Sequence, residues 1–126
     1  MSAGALIRAP IDRRVQDRRV TEPTPPERPV VHVVLTRWKP DAPADALESM
    51  RARTRRFPVT VPGVLGVVEG PSSSPEGLEA GYTWALVVTF RDARARDAYL
   101  THPAHLPVAE VIGEFAERLV VFDLDG

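Results

Sequence analysis

Tyr99, His102 and His105 fall within seven residues in the run AYLTHPAH, and with His32 these two histidines are the whole histidine complement of a 126-residue chain without cysteine. A phenol can donate a hydrogen bond to a carbonyl oxygen as negative charge builds on it. An imidazole, with an unperturbed pKa of about 6.5, can take a proton near neutral pH. Tyr99 and His105 therefore form a candidate donor and general-base pair for chemistry next to a carbonyl group. The bland alternative is that Tyr99 fills the core, His105 packs at a helix start and His102 caps a turn. A zinc centre would need His32, His102 and His105 to converge, with Glu110 nearby, and HPAH lacks the spacing of a zinc motif. No metal and no cofactor is expected.

These side chains must be positioned by the elements around them. Pro103 cannot donate a backbone hydrogen bond and disfavours helical geometry at the residue before it, so a helix carrying Tyr99 and capped by Asp92 should stop near His102. A second helix is predicted from Pro103 to about Glu117, which would put His105 in its opening turn. There the positive end of the helix dipole disfavours imidazolium, so His105 is expected to be neutral near pH 7.

The run Val30 to Trp38 is β-branched and bounded by Pro29 and Pro40, which marks a strand. Val31, Val33 and Leu35 line one face; His32, Val34, Thr36 and Trp38 line the other. Neither face is clearly polar, so both should be covered. A helix capped by Asp41 follows, with Leu47, Met50, Thr54 and Phe57 on one stripe and Arg51, Arg53, Arg55 and Arg56 largely opposite, ending before Pro58. Further strands are predicted at Val64 to Gly70, Gly81 to Phe90 and Leu119 to Leu124. The connection from Pro71 to Ala80 reads as a flexible loop that could lie over a pocket mouth.

The resulting order, βαββαβ, is that of a ferredoxin-like α+β domain, with helices on one face of a four-stranded antiparallel sheet. Its bare face would be covered by closing two sheets into a dimeric α+β barrel, so a homodimer is expected. This domain spans residues 30–126. Residues 1–29 are rich in proline and arginine and read as a flexible arm.

The chain carries a formal net charge of −1. That total gives no field to gather nucleic acid or an anionic membrane surface, and no apolar run is long enough for a signal or a span. A cytoplasmic protein with neither nucleic-acid nor membrane partners is the default expectation.

Strand one with His32, the PGV turn at Pro62 to Val64, GYTWALVVTF, AYLTHPAH and the closing VVFDL together resemble the stress-responsive A/B barrel family. The resemblance covers about Val30 to Asp123 and implies a dimeric α+β barrel. Some members of that family are polyketide cyclases that close a linear chain by an aldol-type reaction. Carried over, their catalytic tyrosine and histidine fall on Tyr99 and His105, while His32, Val34, Thr36 and His102 become candidates for contact with a small apolar or polyketide-like substrate. Met50, Thr54 and Ala116 stand where bulkier aromatic side chains occur in such cyclases, which implies a differently shaped pocket. The family also allows a second function class, a non-catalytic module that binds a small ligand or a partner.

Overall fold

The computed structural model describes residues 28–126; most of the proline- and arginine-rich arm lies outside them. Strand β1 (Val30–Trp38) leads to helix α1 (Ala44–Arg55), the short helix α2 (Phe57–Thr60) and strand β2 (Val64–Gly70). Strand β3 (Trp84–Phe90), helices α3 (Ala93–Leu100) and α4 (Leu106–Phe115) and strand β4 (Ala116–Asp125) complete the chain. The four strands form one antiparallel sheet in the order β2-β3-β1-β4. This is the ferredoxin-like α+β arrangement expected from the sequence.

The alternation along β1 and β3 decides which face the helices cover. Val30, His32, Val34 and Thr36 are buried on β1, as are Trp84, Leu86, Val88 and Phe90 on β3, and they meet Met50, Phe57, Tyr99, Val108 and Ile112 from the helices. The opposite face carries Val31, Val33 and Leu35 of β1, flanked in register by Val87 and Ala85 of β3 and by Val120, Phe122 and Leu124 of β4. Phe122 is 59% exposed and Val68 of β2, also on this side, is 72% exposed. This leaves a broad apolar surface on the helix-free face of the single chain.

Several boundaries differ from those predicted. β3 begins at Trp84 rather than Gly81, because Ala80 and Gly81 both have positive φ, 56° and 88°, a left-handed turn that cannot extend a ladder. α4 begins at Leu106 rather than Pro103. The amide of His105 donates to the His102 carbonyl at 2.9 Å, closing a tight turn around Pro103, and the proline that opens the helix is Pro107. Asp41 does not cap α1; Pro43 holds that position with no side-chain cap. β4 is longer at both ends than Leu119 to Leu124.

The loop after β2 does not lie over the Tyr99 and His105 region. Ser72, Gly77 and Glu79 instead border a cleft with Arg37, Trp38 and Tyr82 at the far end of β1. The β2-β3 hairpin closes where Gly70 pairs with Ala85, and that geometry fixes the loop at the Trp38 end of the sheet.

Two devices hold the helices to the sheet. Glu69, on edge strand β2 with its side chain 5% exposed, accepts hydrogen bonds from Arg51 Nε at 2.7 Å, Arg55 Nη1 at 2.8 Å and Trp84 Nε1 at 2.8 Å. Half of the predicted arginine face of α1 is therefore engaged by one carboxylate. Burial opposes ionisation of Glu69, but the donors from Arg51, Trp84 and Arg55 outweigh it and hold the carboxyl below its usual range. At the other device, Gly63 has φ of 86° and a Cβ placed on it would come within 2.5 Å of the Ala95 Cβ. Only glycine permits both that backbone and that approach of the β2 turn to α3.

Candidate active site

Tyr99 reaches the core because α3 starts cleanly. The Asp92 carboxylate accepts the Ala95 amide at 2.8 Å, and from there Ala95 and Tyr99, four residues apart, face the sheet. The phenol ring is 1% exposed and is packed by Phe57 edge-on at 5.4 Å, Phe90 at 4.9 Å and His32 edge-on at 5.7 Å between ring centres. The fourth ring against it is that of His105, whose centre lies 4.1 Å away with the planes tilted by 37°. The HPAH turn thus folds the second histidine back onto the tyrosine that precedes it.

The two histidines of that turn are used differently. His102 Nδ1 accepts the Ala104 amide at 3.0 Å, which stabilises the turn itself. His105, half-buried, places Nδ1 at 3.2 Å from the Leu100 carbonyl. A carbonyl only accepts, so the proton sits on Nδ1 and the Nε2 lone pair is left for a ligand. Burial pushes the His105 pKa down, the Leu100 carbonyl pulls it partly back, and nearby His32 lowers it further. The expected neutral imidazole therefore has desolvation as its main cause. His105 occupies the N-cap of α4 rather than its opening turn, so the helix dipole does not carry the argument. Burial also raises the Tyr99 pKa, which keeps the phenol a proton donor in a hydrogen bond throughout the neutral range.

His32 comes to the same place from β1. It pairs in register with Asp123 of β4, and its Nδ1 donates to the Asp123 carboxylate at 2.7 Å. Arg96 of α3 donates to the other oxygen of that carboxylate at 2.6 Å. Burial disfavours the Asp123 anion, but Arg96 and His32 more than offset this and hold the carboxyl below its ordinary value. Asp123 and Arg96 were not singled out from the sequence. The usable signal was an aspartate inside VVFDL, where an otherwise apolar strand needs a partner for its charge.

Between these groups lies a cavity of about 210 Å³ lined by His32, Val34, Leu86, Tyr99, Leu100, His105, Ala109, Ile112, Leu119 and Val121. Its polar groups are the two imidazoles and the phenol, and the rest of its wall is aliphatic. Of the residues singled out from the sequence, Tyr99, His105, His32 and Val34 line this cavity. His102 and Thr36 do not. Thr36 lies one step further along the same face of β1, fully buried, and its hydroxyl has no hydrogen-bond partner among the described residues.

The profile of the Stress Responsive A/B Barrel Domain matches residues 30–125, nearly the whole described chain. The chain belongs to the stress-responsive A/B barrel domain family. Within reach of this stress-responsive A/B barrel domain, olivetolic acid cyclase of Cannabis sativa is 27% identical over 94 residues, covering 75% of this chain and 93% of the cyclase. A dimeric ferredoxin-like protein of unknown function from Jannaschia sp. CCS1 superposes with a TM-score of 0.71 at 22% identity, covering 78% of this chain and 99% of that one. Hydroxynitrile lyase from Passiflora edulis superposes with a TM-score of 0.66 at 24% identity, covering 81% and 95% of the respective chains. The fold of this A/B barrel domain is thus shared by proteins whose names differ in chemistry. No helix among its described residues is long and apolar enough to cross a membrane.

Proposed function

We propose that this A/B barrel domain is a cofactor-independent enzyme of the cyclase or lyase type, in which His105 is the general base and Tyr99 the hydrogen-bond donor to a carbonyl substrate. The observation that carries the reading is the close approach of the His105 and Tyr99 rings, 4.1 Å between centres, beside one small, largely apolar cavity. His105 Nε2 takes a proton from carbon flanked by carbonyl groups, giving an imidazolium and an enolate whose oxygen accepts the Tyr99 hydroxyl hydrogen bond. The enolate carbon bonds to a second carbonyl carbon, whose π pair moves onto oxygen. The imidazolium returns its proton to that alkoxide, so the cyclisation is a net isomerisation and needs no oxidant. A polyketide-like chain and a role in secondary metabolism are the finer reading, drawn from the likeness to olivetolic acid cyclase.

Positioned general-base catalysis contributes about 10² to 10⁴ in rate, and one donor to a developing oxyanion about 10² to 10³. The test is conversion of a linear diketone whose ends can close on one another. The native protein is expected to form the cyclic aldol, and Tyr99→Phe and His105→Gln to lose at least about tenfold in turnover while remaining folded. Equal turnover in the three proteins sinks the assignment.

The same reading includes a homodimer. The apolar helix-free face built from Val33, Val68 and Phe122 supports it, as does the dimeric assembly named for the Jannaschia protein. A non-catalytic ligand-binding module is the second reading; it would use the same cavity and retain ligand without turnover.

A further inference from the structure

The hydrogen-bonding inventory of the cavity bears on the charge of its ligand, an inference that rests on the proton-transfer reading above and refines it. His32 commits its Nδ1 proton to Asp123 and His105 commits its own to the Leu100 carbonyl. With each ring neutral, an Nε2 lone pair is left, and no hydrogen bond to either Nε2 is made among the described residues. The Tyr99 hydroxyl has no partner there either. The cavity therefore offers a ligand one hydroxyl donor and two nitrogen acceptors, separated by aliphatic wall.

No lysine or arginine lines it. Behind His32, Arg96 binds Asp123 at 2.6 Å and Asp97 at 2.8 Å. Two carboxylates share that one guanidinium, which is thereby occupied. A ligand carboxylate entering the cavity would shed its hydration, meet the His105 Nε2 lone pair, and find no lysine or arginine to pair with. Burying an unpaired anion in that way is strongly unfavourable.

We propose that the cavity selects a compact, uncharged, enolisable carbonyl compound, a 1,3-dicarbonyl or β-hydroxy ketone, over a carboxylate of the same size. The carbonyl oxygen accepts from Tyr99, the acidic C–H faces His105 Nε2, and the enol or hydroxyl O–H donates to His32 Nε2. A volume of about 210 Å³ corresponds to about seven water-sized groups at ~30 Å³ each. Acetylacetone has that scale and that arrangement of groups.

Acetylacetone and acetoacetate have the same number of heavy atoms and differ in charge, which makes them the probes. Each is titrated into the full chain near neutral pH, with the histidine side-chain nitrogens followed by NMR. The expected result is binding of acetylacetone that moves the Nε2 signals of both His32 and His105, at an affinity about tenfold or more above that of acetoacetate. In Val121→Lys, which puts a cation on the half-exposed cavity rim without touching the polar groups, acetoacetate should gain at least about tenfold relative to acetylacetone. Acetoacetate binding as tightly as acetylacetone to the native protein, unmoved Nε2 signals, or binding of neither probe overturns the inference. Selective binding of acetylacetone without any catalysed proton exchange upholds it while removing the enzymatic reading.

Discussion

Asp123 accepts the Nδ1 proton of His32 at 2.7 Å across paired strands 91 residues apart in the sequence, and Arg96 occupies the second oxygen of the same carboxylate. The arrangement orders three elements, β1, β4 and α3, around the polar end of the cavity. It also fixes which nitrogen of His32 is free. Replacing Asp123 by leucine leaves the imidazole and Arg96 without their common partner. The expected cost is about 1 to 3 kcal/mol in urea unfolding, together with mixing of the His32 tautomers visible in its side-chain nitrogen signals. A variant as stable as the native chain with His32 unchanged would show that the carboxylate does not orient the ring.

His105 gives the protein a defined response to acid. Burial holds its folded pKa below the unfolded value of about 6.5, so in the window beneath that value the unfolded chain binds the proton and the folded chain does not. Stability from this group, and with it the proposed action of His105 as a base, is present above about pH 6.5 and is lost as pH falls through the folded pKa. In His105→Gln the part of this decline that sets in below about pH 6.5 should disappear from a plot of unfolding free energy against pH. Parallel curves for the two proteins would contradict the assignment.

Glu69 pins α1 to the sheet edge through Arg51, Arg55 and Trp84. Glu69→Ala leaves the Trp84 indole N–H and two guanidinium groups without this acceptor, and an expected loss of about 1 to 3 kcal/mol follows from the buried donor, the half-exposed arginines contributing little. Because the folded carboxyl is held below its ordinary range, its stabilising effect is present above the unfolded value of about 4.3 and lost as pH falls through the folded pKa. Chemical unfolding at neutral pH and near pH 3 measures both effects.

The helix-free face supplies a test of assembly. Phe122, on edge strand β4, is exposed on it in the single chain, next to Val33 in register. Phe122→Lys places a charge on that surface and should convert a dimer to a monomer in sedimentation analysis, with the strands themselves intact by circular dichroism. A native chain that sediments as a monomer, or an unaffected dimer, contradicts the proposed interface.

The architecture was readable because its signals are local. The β-branched alternation of β1 and β3, the Asp92 cap and the apolar stripe of α1 each specify one element, and their order leaves few topologies. The Tyr99 and His105 pairing was legible for the same reason, since both lie on one short turn. What escaped was set by distance or by backbone competition. The Glu69 cluster joins residues from three elements, and Asp123 meets His32 only after the sheet forms. The start of α4 moved because Pro103 and Pro107 both suit a helix N-terminus, and the His102 turn decides between them. His102 was a candidate for substrate contact with turn capping as its alternative, and its ring nitrogen is used by the Ala104 amide within the turn.

In the proposed reaction His105 removes a proton from carbon while Tyr99 holds the carbonyl oxygen. The most direct measurement is the rate at which deuterium from solvent enters the central carbon of acetylacetone with the native protein, Tyr99→Phe and His105→Gln, all confirmed as folded. Exchange above the buffer rate that falls by about tenfold or more in each variant is the predicted result. Exchange at the buffer rate with the native protein, or exchange that survives loss of the His105 imidazole, contradicts it.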